Sequence, residues 1–339
     1  MGKSKKSKKG AAAVITMKEQ KKKNSNFLLA SAIIMVLSVL AYAFWNTGFV
    51  KQRKEIQENT PEFMEPQLAK VTNKSANMEK LMKSDLQKRK AYLQQWLAGA
   101  NKVIELTQDP MAKELMEFAR DNHSLYMPND RMAMVVLEED KYKEGDFGIL
   151  FVDRDDLQKY PAWSKMIHSG AVGYYHPYFR SILIPITERS ETARGIAFLH
   201  EIHHARDMFG EPPKKMPTQR SVTVTEIPIH IFQNRLIEKI GGQDYTDFIN
   251  TTVKKMKEAE MKYCYPEELD KNTQIFEPNM KLFAKIYGNG TELPQSEYVF
   301  AMTNYMIASC FQLLDEVHKE KANDMKIEFM DKMYAENAF

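Results

Sequence analysis

The stretch Gly195-Ile-Ala-Phe-Leu-His200-Glu201-Ile-His203-His204-Ala-Arg-Asp207 decides how this chain is read. Within it His200, Glu201 and His204 form the pattern H-E-x-x-H. On a helix, residues four apart stand one above the other, so two imidazoles at that spacing can grip one metal ion. The residue after the first histidine points about 100° away around the axis. A carboxylate at that offset can serve the metal's water without becoming a ligand itself. Two ring nitrogens, a general base and an open coordination position are what zinc-assisted hydrolysis requires. The structural alternative is a polar, solvated helix face. Three of the eight histidines fall within these five positions. Burying two imidazoles and a carboxylate on consecutive turns is costly without a ligand, which weighs against that alternative.

The helix carrying the motif is bounded by Ser190, a suitable N-cap, and Gly210, a suitable residue just past the end. Before it, residues 131–137 and 147–152 are short apolar runs bounded by Asp, Gly and Glu, which suits strands. Residues 171–186 read as a hairpin whose second arm immediately precedes the motif helix. After it, a loop containing Pro212, Pro213 and Pro217 leads to a helix expected from about Thr225 to Ile240, stopped by Gly241-Gly242. From residue 245 onward the pattern is nearly all helical, with Met256, Met261, Leu282, Phe283, Ile286, Met302, Met306, Phe311 and Leu314 as candidate core. Further upstream, Met82, Leu86, Leu93, Trp96, Leu97, Ala100, Val103 and Ile104 recur at threes and fours, with Arg89 a gap in the stripe. A shorter helix is expected at 111–120, after Asp109-Pro110. The fold class is therefore α+β: a small sheet before the motif helix and a mostly helical C-terminal lobe.

Strands first, then an H-E-x-x-H helix: in this order residues 130–240 resemble the zincin metallopeptidases. The resemblance implies a Zn2+ cofactor, a peptide or protein substrate, and hydrolysis with Glu201 as general base. It also implies that the strand just before the metal helix forms the rim of the cleft, where a substrate pairs as an added strand. A third zinc ligand is needed beside His200 and His204. The metzincin pattern would put Gly at 207 and His at 210, where this chain has Asp207 and Gly210. The gluzincin pattern takes a Glu from a following helix, and Glu226 lies 22 residues beyond His204. His230 and Glu238 are the alternatives. Thr223 and Glu226 also have capping-box spacing, which would explain Glu226 without a metal. Pro228 opposes this, because with Thr223 as N-cap it falls at the fifth helical position, where proline is costly. With Thr225 as N-cap it sits in the tolerated first turn. Asp207, His203 and His230 are candidates for supporting the liganding imidazoles, although a surface ion pair of Asp207 with Arg206 or Arg194 is equally cheap. His176, Tyr174, Tyr175 and Tyr178 on the hairpin could stabilise an oxyanion or be ordinary strand aromatics.

The ends of the chain carry a different message. The net charge of +3 hides a division: residues 1–26 hold nine Lys and one Glu, leaving 39 basic against 44 acidic side chains elsewhere. The body is mildly acidic, so no nucleic-acid partner is expected. Residues 27–45 form a 19-residue uncharged apolar run ending in Tyr42, Phe44 and Trp45. As a helix it would reach about 28 Å, close to a hydrocarbon core of about 30 Å. Lysines before it outweigh the basic residues after it, which places the N-terminus in the cytoplasm and the body on the exported side. A cleaved signal is the alternative, given Ala41-Tyr42-Ala43, but the run and the tail before it are long for one. The organisation expected is a basic tail at 1–26, a single-pass anchor in membrane lipid at 27–45, a polar tether at 46–77, a helical stem or layer at 78–125, and the zincin-like domain at 126–339. Cys264 and Cys310 could pair in an oxidising compartment or sit as small buried hydrophobes. The function class opposed to an enzyme is a membrane-tethered scaffold with a degenerate core.

Overall fold

The computed structural model describes residues 76–335 apart from 129–133, 139–142, 144, 161–172, 177–179, 210–218, 260–263, 266–274 and 289–291. The chain divides into two units, Met1–Phe63 and Met64–Phe339, and every described residue lies in the second. The expected anchor at 27–45 and most of the tether lie outside the described residues. Among the described residues no helix is long and apolar enough to cross a membrane.

The architecture is mixed α+β and mostly helical, with one small sheet. Helix α1 (Ala76–Thr107) buries Met82, Leu93, Trp96, Ala100 and Val103, the stripe expected from their spacing. Arg89, the gap in that stripe, is fully buried as well. Its guanidinium donates to the carbonyl of Phe151 and pairs with Asp85 and Asp156, so the polar group is satisfied where an apolar one was expected. Helix α2 (Pro110–Asn122) is capped by Asp109, which accepts from the N–H groups of Met111 and Ala112.

Strand β1 (His123–Pro128) follows α2 without a loop. It was not expected, because six residues directly abutting a helix carry no turn signal of their own. Strands β2 (Met134–Val136), β3 (Phe147–Val152), β4 (Tyr174–His176) and β5 (Ser181–Pro185) complete the sheet, in the order β2-β1-β3-β5-β4. The central strands β1, β3 and β5 are parallel, and β2 and β4 pair antiparallel at the edges. Strands β4 and β5 thus pair antiparallel, as the two arms of the expected hairpin should. The strand just before the motif helix is nevertheless interior: β5 is flanked on both sides, and among the described residues the edge near the motif belongs to β4. Strands β3 and β5 are buried on both faces, as their unbroken apolar runs imply. Phe147, Ile149, Phe151, Ile182 and Ile184 face the main core, while Leu150, Val152 and Leu183 face a smaller one. The short helix α3 (Arg154–Lys159) follows β3 and starts with a capping box between Asp153 and Asp156.

Helix α4 (Glu191–Asp207) carries the motif and is capped by Ser190, which accepts from the Ala193 N–H. Its closest neighbour is α1. A Cβ on Gly195 would come within 2.1 Å of the Gly99 carbonyl oxygen, and one on Gly99 within 2.5 Å of the Glu191 oxygen. The two helices therefore touch backbone to backbone, leaving no room for a side chain.

Helix α5 (Gln219–Gly241) begins about two turns before the expected start, so Pro228 lies in its interior and neither Thr225 nor Thr223 is an N-cap. An interior proline costs about 3 kcal/mol or more, since it removes an N–H and crowds the carbonyl four residues back. Tertiary packing outweighs this. The first half of α5 lies against α9 (Ala322–Ala335), with Thr223 fully buried and donating to Asp331. The C-terminal lobe is completed by α6 (Gln243–Glu258), α7 (Met280–Tyr287) and α8 (Gln295–Val317). Cys264 and Cys310, both buried, are joined by a disulfide.

Two outcomes follow for stability. Gly195→Ala or Gly99→Ala puts a methyl against fixed backbone and should lower unfolding free energy by about 1–3 kcal/mol or more in urea titrations. A neutral result would mean that the helices are not in this contact. The second concerns Asp153. Burial raises its pKa, but the Asp156 N–H, Lys88 and Tyr92 outweigh this and bring it to about 2 from the usual 3.8. A depressed carboxylate contributes stability that is complete above about pH 3.8 and disappears as pH falls to about 2. Asp153→Asn, which keeps a good N-cap, should be destabilised at neutral pH and converge with the parent in acid unfolding over that window. A gap that stays constant across it would contradict the assignment.

Candidate metal centre

One turn of α4 separates His200 from His204, and their Nε2 atoms lie 3.2 Å apart. Helix α5 brings Glu226 across the pair. Its Oε1 is 3.1 Å from His204 Nε2, and its Oε2 is 3.3 Å from His200 Nε2. One ligand atom from each residue can be chosen so that all lie within 4.8 Å of one another. Donor atoms about 2.0–2.1 Å from a tetrahedral zinc lie about 3.3 Å from each other, so these separations suit that ion.

The electrostatics suit a cation too. The Oε2 atoms of Glu201 and Glu226 are both buried without a hydrogen bond. An unsatisfied buried carboxylate oxygen is costly, and a cation in reach of it offsets that cost. Burial pushes the Glu201 carboxyl above its ordinary range, only partly opposed by His200 and His204. Burial acts on Glu226 as well, but His204 and His200 outweigh it and hold that carboxyl well below the usual range. Burial lowers His200, whereas Glu226 and Glu201 more than reverse this and raise it. Two carboxylates on neighbouring helices are thus pushed in opposite directions, one towards proton exchange and one towards permanent charge.

Glu201 is also tied to the sheet edge, accepting a hydrogen bond from the backbone N–H of Tyr175 on β4. A Cβ on the preceding Gly173 would lie 3.2 Å from Glu201 Cγ, so the strand passes close over the carboxylate. The ring of Tyr175 lies parallel to His204 at 6.4 Å, and His176 packs beside Tyr174 instead. Tyr178 lies outside the described residues.

The remaining candidates separate. His230 sits edge-on to His200 with ring centroids 5.0 Å apart, and its Nε2 is 3.7 Å from Glu226 Oε2. It stands beside the donor group but is not one of its three members. Glu238 is three turns further along α5 and accepts from Thr246. Asp207 contacts His203, at 3.4 Å from its Nε2, and Arg206. His203 is buried edge-on to Phe232. This pair lies one helix face away from the donors, so Asp207 supports neither His200 nor His204.

The residue that does support His200 is Gln233, whose Oε1 lies 2.6 Å from His200 Nδ1. It was not singled out from sequence. The signal was there in spacing, since Glu226, His230 and Gln233 stand at i, i+4 and i+7 on one stripe of α5. No protein-family model matches the chain, and no curated protein or solved structure matches it.

Zinc binding at these three side chains should stabilise the fold by about 2.7 kcal/mol at one hundred times the dissociation constant. Thermal melts of the full chain with added Zn2+ and then with chelator check this. Glu226→Ala should lose the zinc-dependent increment, and a melt indifferent to zinc would contradict the donor set.

Proposed function

We propose that the chain is a zinc-dependent metallopeptidase of the zincin kind, with the gluzincin ligand arrangement, hydrolysing peptide bonds on the exported side of a membrane. The observation that carries this reading is the convergence of His200 Nε2, His204 Nε2 and the Glu226 carboxylate from two helices. Beside them Glu201 keeps one carboxylate oxygen buried and unpaired. Zinc in such a donor set supplies Lewis acidity, activating water at neutral pH and polarising a carbonyl.

The chain's own residues supply the rest. His200, His204 and Glu226 hold the ion. Glu201 Oε2 accepts a proton from the water that attacks the peptide carbonyl, then returns it to the nitrogen as the C–N bond breaks. Its raised pKa suits both halves of that exchange. The edge strand β4 lies over Glu201 and offers a place for an extended substrate to pair. A zincin-like arrangement is favoured by the order of elements: sheet, motif helix, Glu-bearing helix, helical lobe.

The exported location is supported by the lysines ahead of the apolar run at 27–45 and by the disulfide, which persists in oxidising compartments. The test is metal content and peptide hydrolysis of the full purified chain. Glu201→Gln should keep one zinc per chain and lose hydrolysis by about 100-fold or more. His204→Ala should lose the zinc. A fully active Glu201→Gln would refute the mechanism, and a zinc-free, inactive parent would favour a tethered scaffold.

A further inference from the structure

Behind the donor group, a line of buried polar side chains crosses three helices. Gln233 on α5, Asn304 on α8 and Tyr287 on α7 are only 2%, 1% and 2% exposed. Gln233 Oε1 faces His200 Nδ1 at 2.6 Å. Its amide Nε2 donates to Asn304 Oδ1, and Asn304 Nδ2 in turn reaches the Tyr287 hydroxyl at 3.4 Å. No apolar contact needs two amides in the middle of this lobe. Buried polar groups of this kind give little net stability compared with apolar residues of the same shape. Their value lies in direction.

Each amide has one donor end and one acceptor end, so the chain has just two self-consistent settings. In one, both amide oxygens point towards His200, and the imidazole must carry its proton on Nδ1. In the other, both are reversed, His200 accepts at Nδ1, and its proton sits on Nε2. The amides of Gln233 and Asn304 are oriented as in the first setting. A neutral His200 in this setting carries its lone pair on Nε2, 3.3 Å from Glu226 Oε2 and 3.2 Å from His204 Nε2. That is the form a metal requires. The second setting would put a proton where the metal must bind.

We propose that Gln233, Asn304 and Tyr287 form a one-way hydrogen-bond relay that fixes the tautomer of His200 and so presents its Nε2 as a ligand. Gln233 is a positioning residue, and Asn304 acts through it from another helix. The relay's effect on metal affinity rests on the zinc reading above; its effect on the tautomer does not. A neutral amide does this without adding a third carboxylate to a site that already holds Glu201 and Glu226.

The experiment uses the full chain with nitrogen-15 in its histidines, metal-free and at alkaline pH, where the imidazole is neutral. Long-range nitrogen–proton spectra should show His200 with its proton on Nδ1. In Gln233→Leu the Nε2-protonated form should gain population, and affinity for Zn2+ alone should fall about 10–100-fold. Asn304→Leu, which touches no ligand, should shift both readings in the same direction by less. Gln233→Glu, which can only accept, should keep the Nδ1 proton, and its zinc affinity should stay within a few-fold of the parent. Melting temperature is followed alongside. Leu variants that lose stability but keep the tautomer would reduce the chain to packing and overturn the relay. A parent with His200 protonated on Nε2 would overturn it as well. A parent that binds no zinc defeats the zinc reading, and the spectra still decide the tautomer.

Discussion

Gly99 and Gly195 meet with their backbones in contact, and the position of the histidine pair follows from that meeting. A helix is stiff over a few turns, so fixing α4 at Gly195 fixes His200 five residues on and His204 one turn beyond. The contact also brings Trp96 and Val103 of α1 into the main core beside Phe198. With α1 on one side, the sheet on another and α5 on a third, α4 buries residues around most of its circumference. That explains why the motif helix is apolar before His200, and why its polar residues point at one another rather than at water.

Such a site is expensive to fold. Glu201, His204 and Glu226 are buried, and His200 is mostly so. The imidazoles and Glu226 compensate one another in pairs, but one oxygen on each carboxylate remains without a donor. Two other buried charges are met by several partners each. Arg89 meets two carboxylates and a carbonyl. Asp109 receives two backbone N–H groups besides Arg235 and Lys239.

Much of this was legible in the sequence, and the failures have physical causes. Ser190 as N-cap, the stripe of α1 and the pairing of β4 with β5 follow from local rules of capping and period. Glu226 was legible through its distance from His204, whereas Pro228 does not mark the first turn of its helix. Pro228 lies inside α5 because Thr223 is buried against α9, and a proline penalty of about 3 kcal/mol is within what one buried turn offsets. Period reveals strands but not their order, which is why β5 was expected at an edge and β4 holds it. Asp207 looked like the partner of a liganding imidazole because it is close in sequence. Gln233, on another helix, fills that role because packing brings it there. An amide on an amphipathic helix reads as surface until its neighbours are known.

The C-terminal lobe, which the motif alone does not explain, acquires a role through α8. Glu297 near its start accepts from the backbone N–H of Ser190, the residue that caps the motif helix. Seven residues on, Asn304 holds the amide of Gln233 behind His200. Six further on, Cys310 is tied to Cys264. Glu297 and Asn304 are two turns apart on one stripe of the helix, so a single rigid element braces both the entry to α4 and the outer nitrogen of its first histidine. A shift of α8 along its axis would release the cap and the amide together. The lobe therefore frames the group of His200, His204 and Glu226, holding Ser190 through Glu297 and His200 through Asn304 and Gln233.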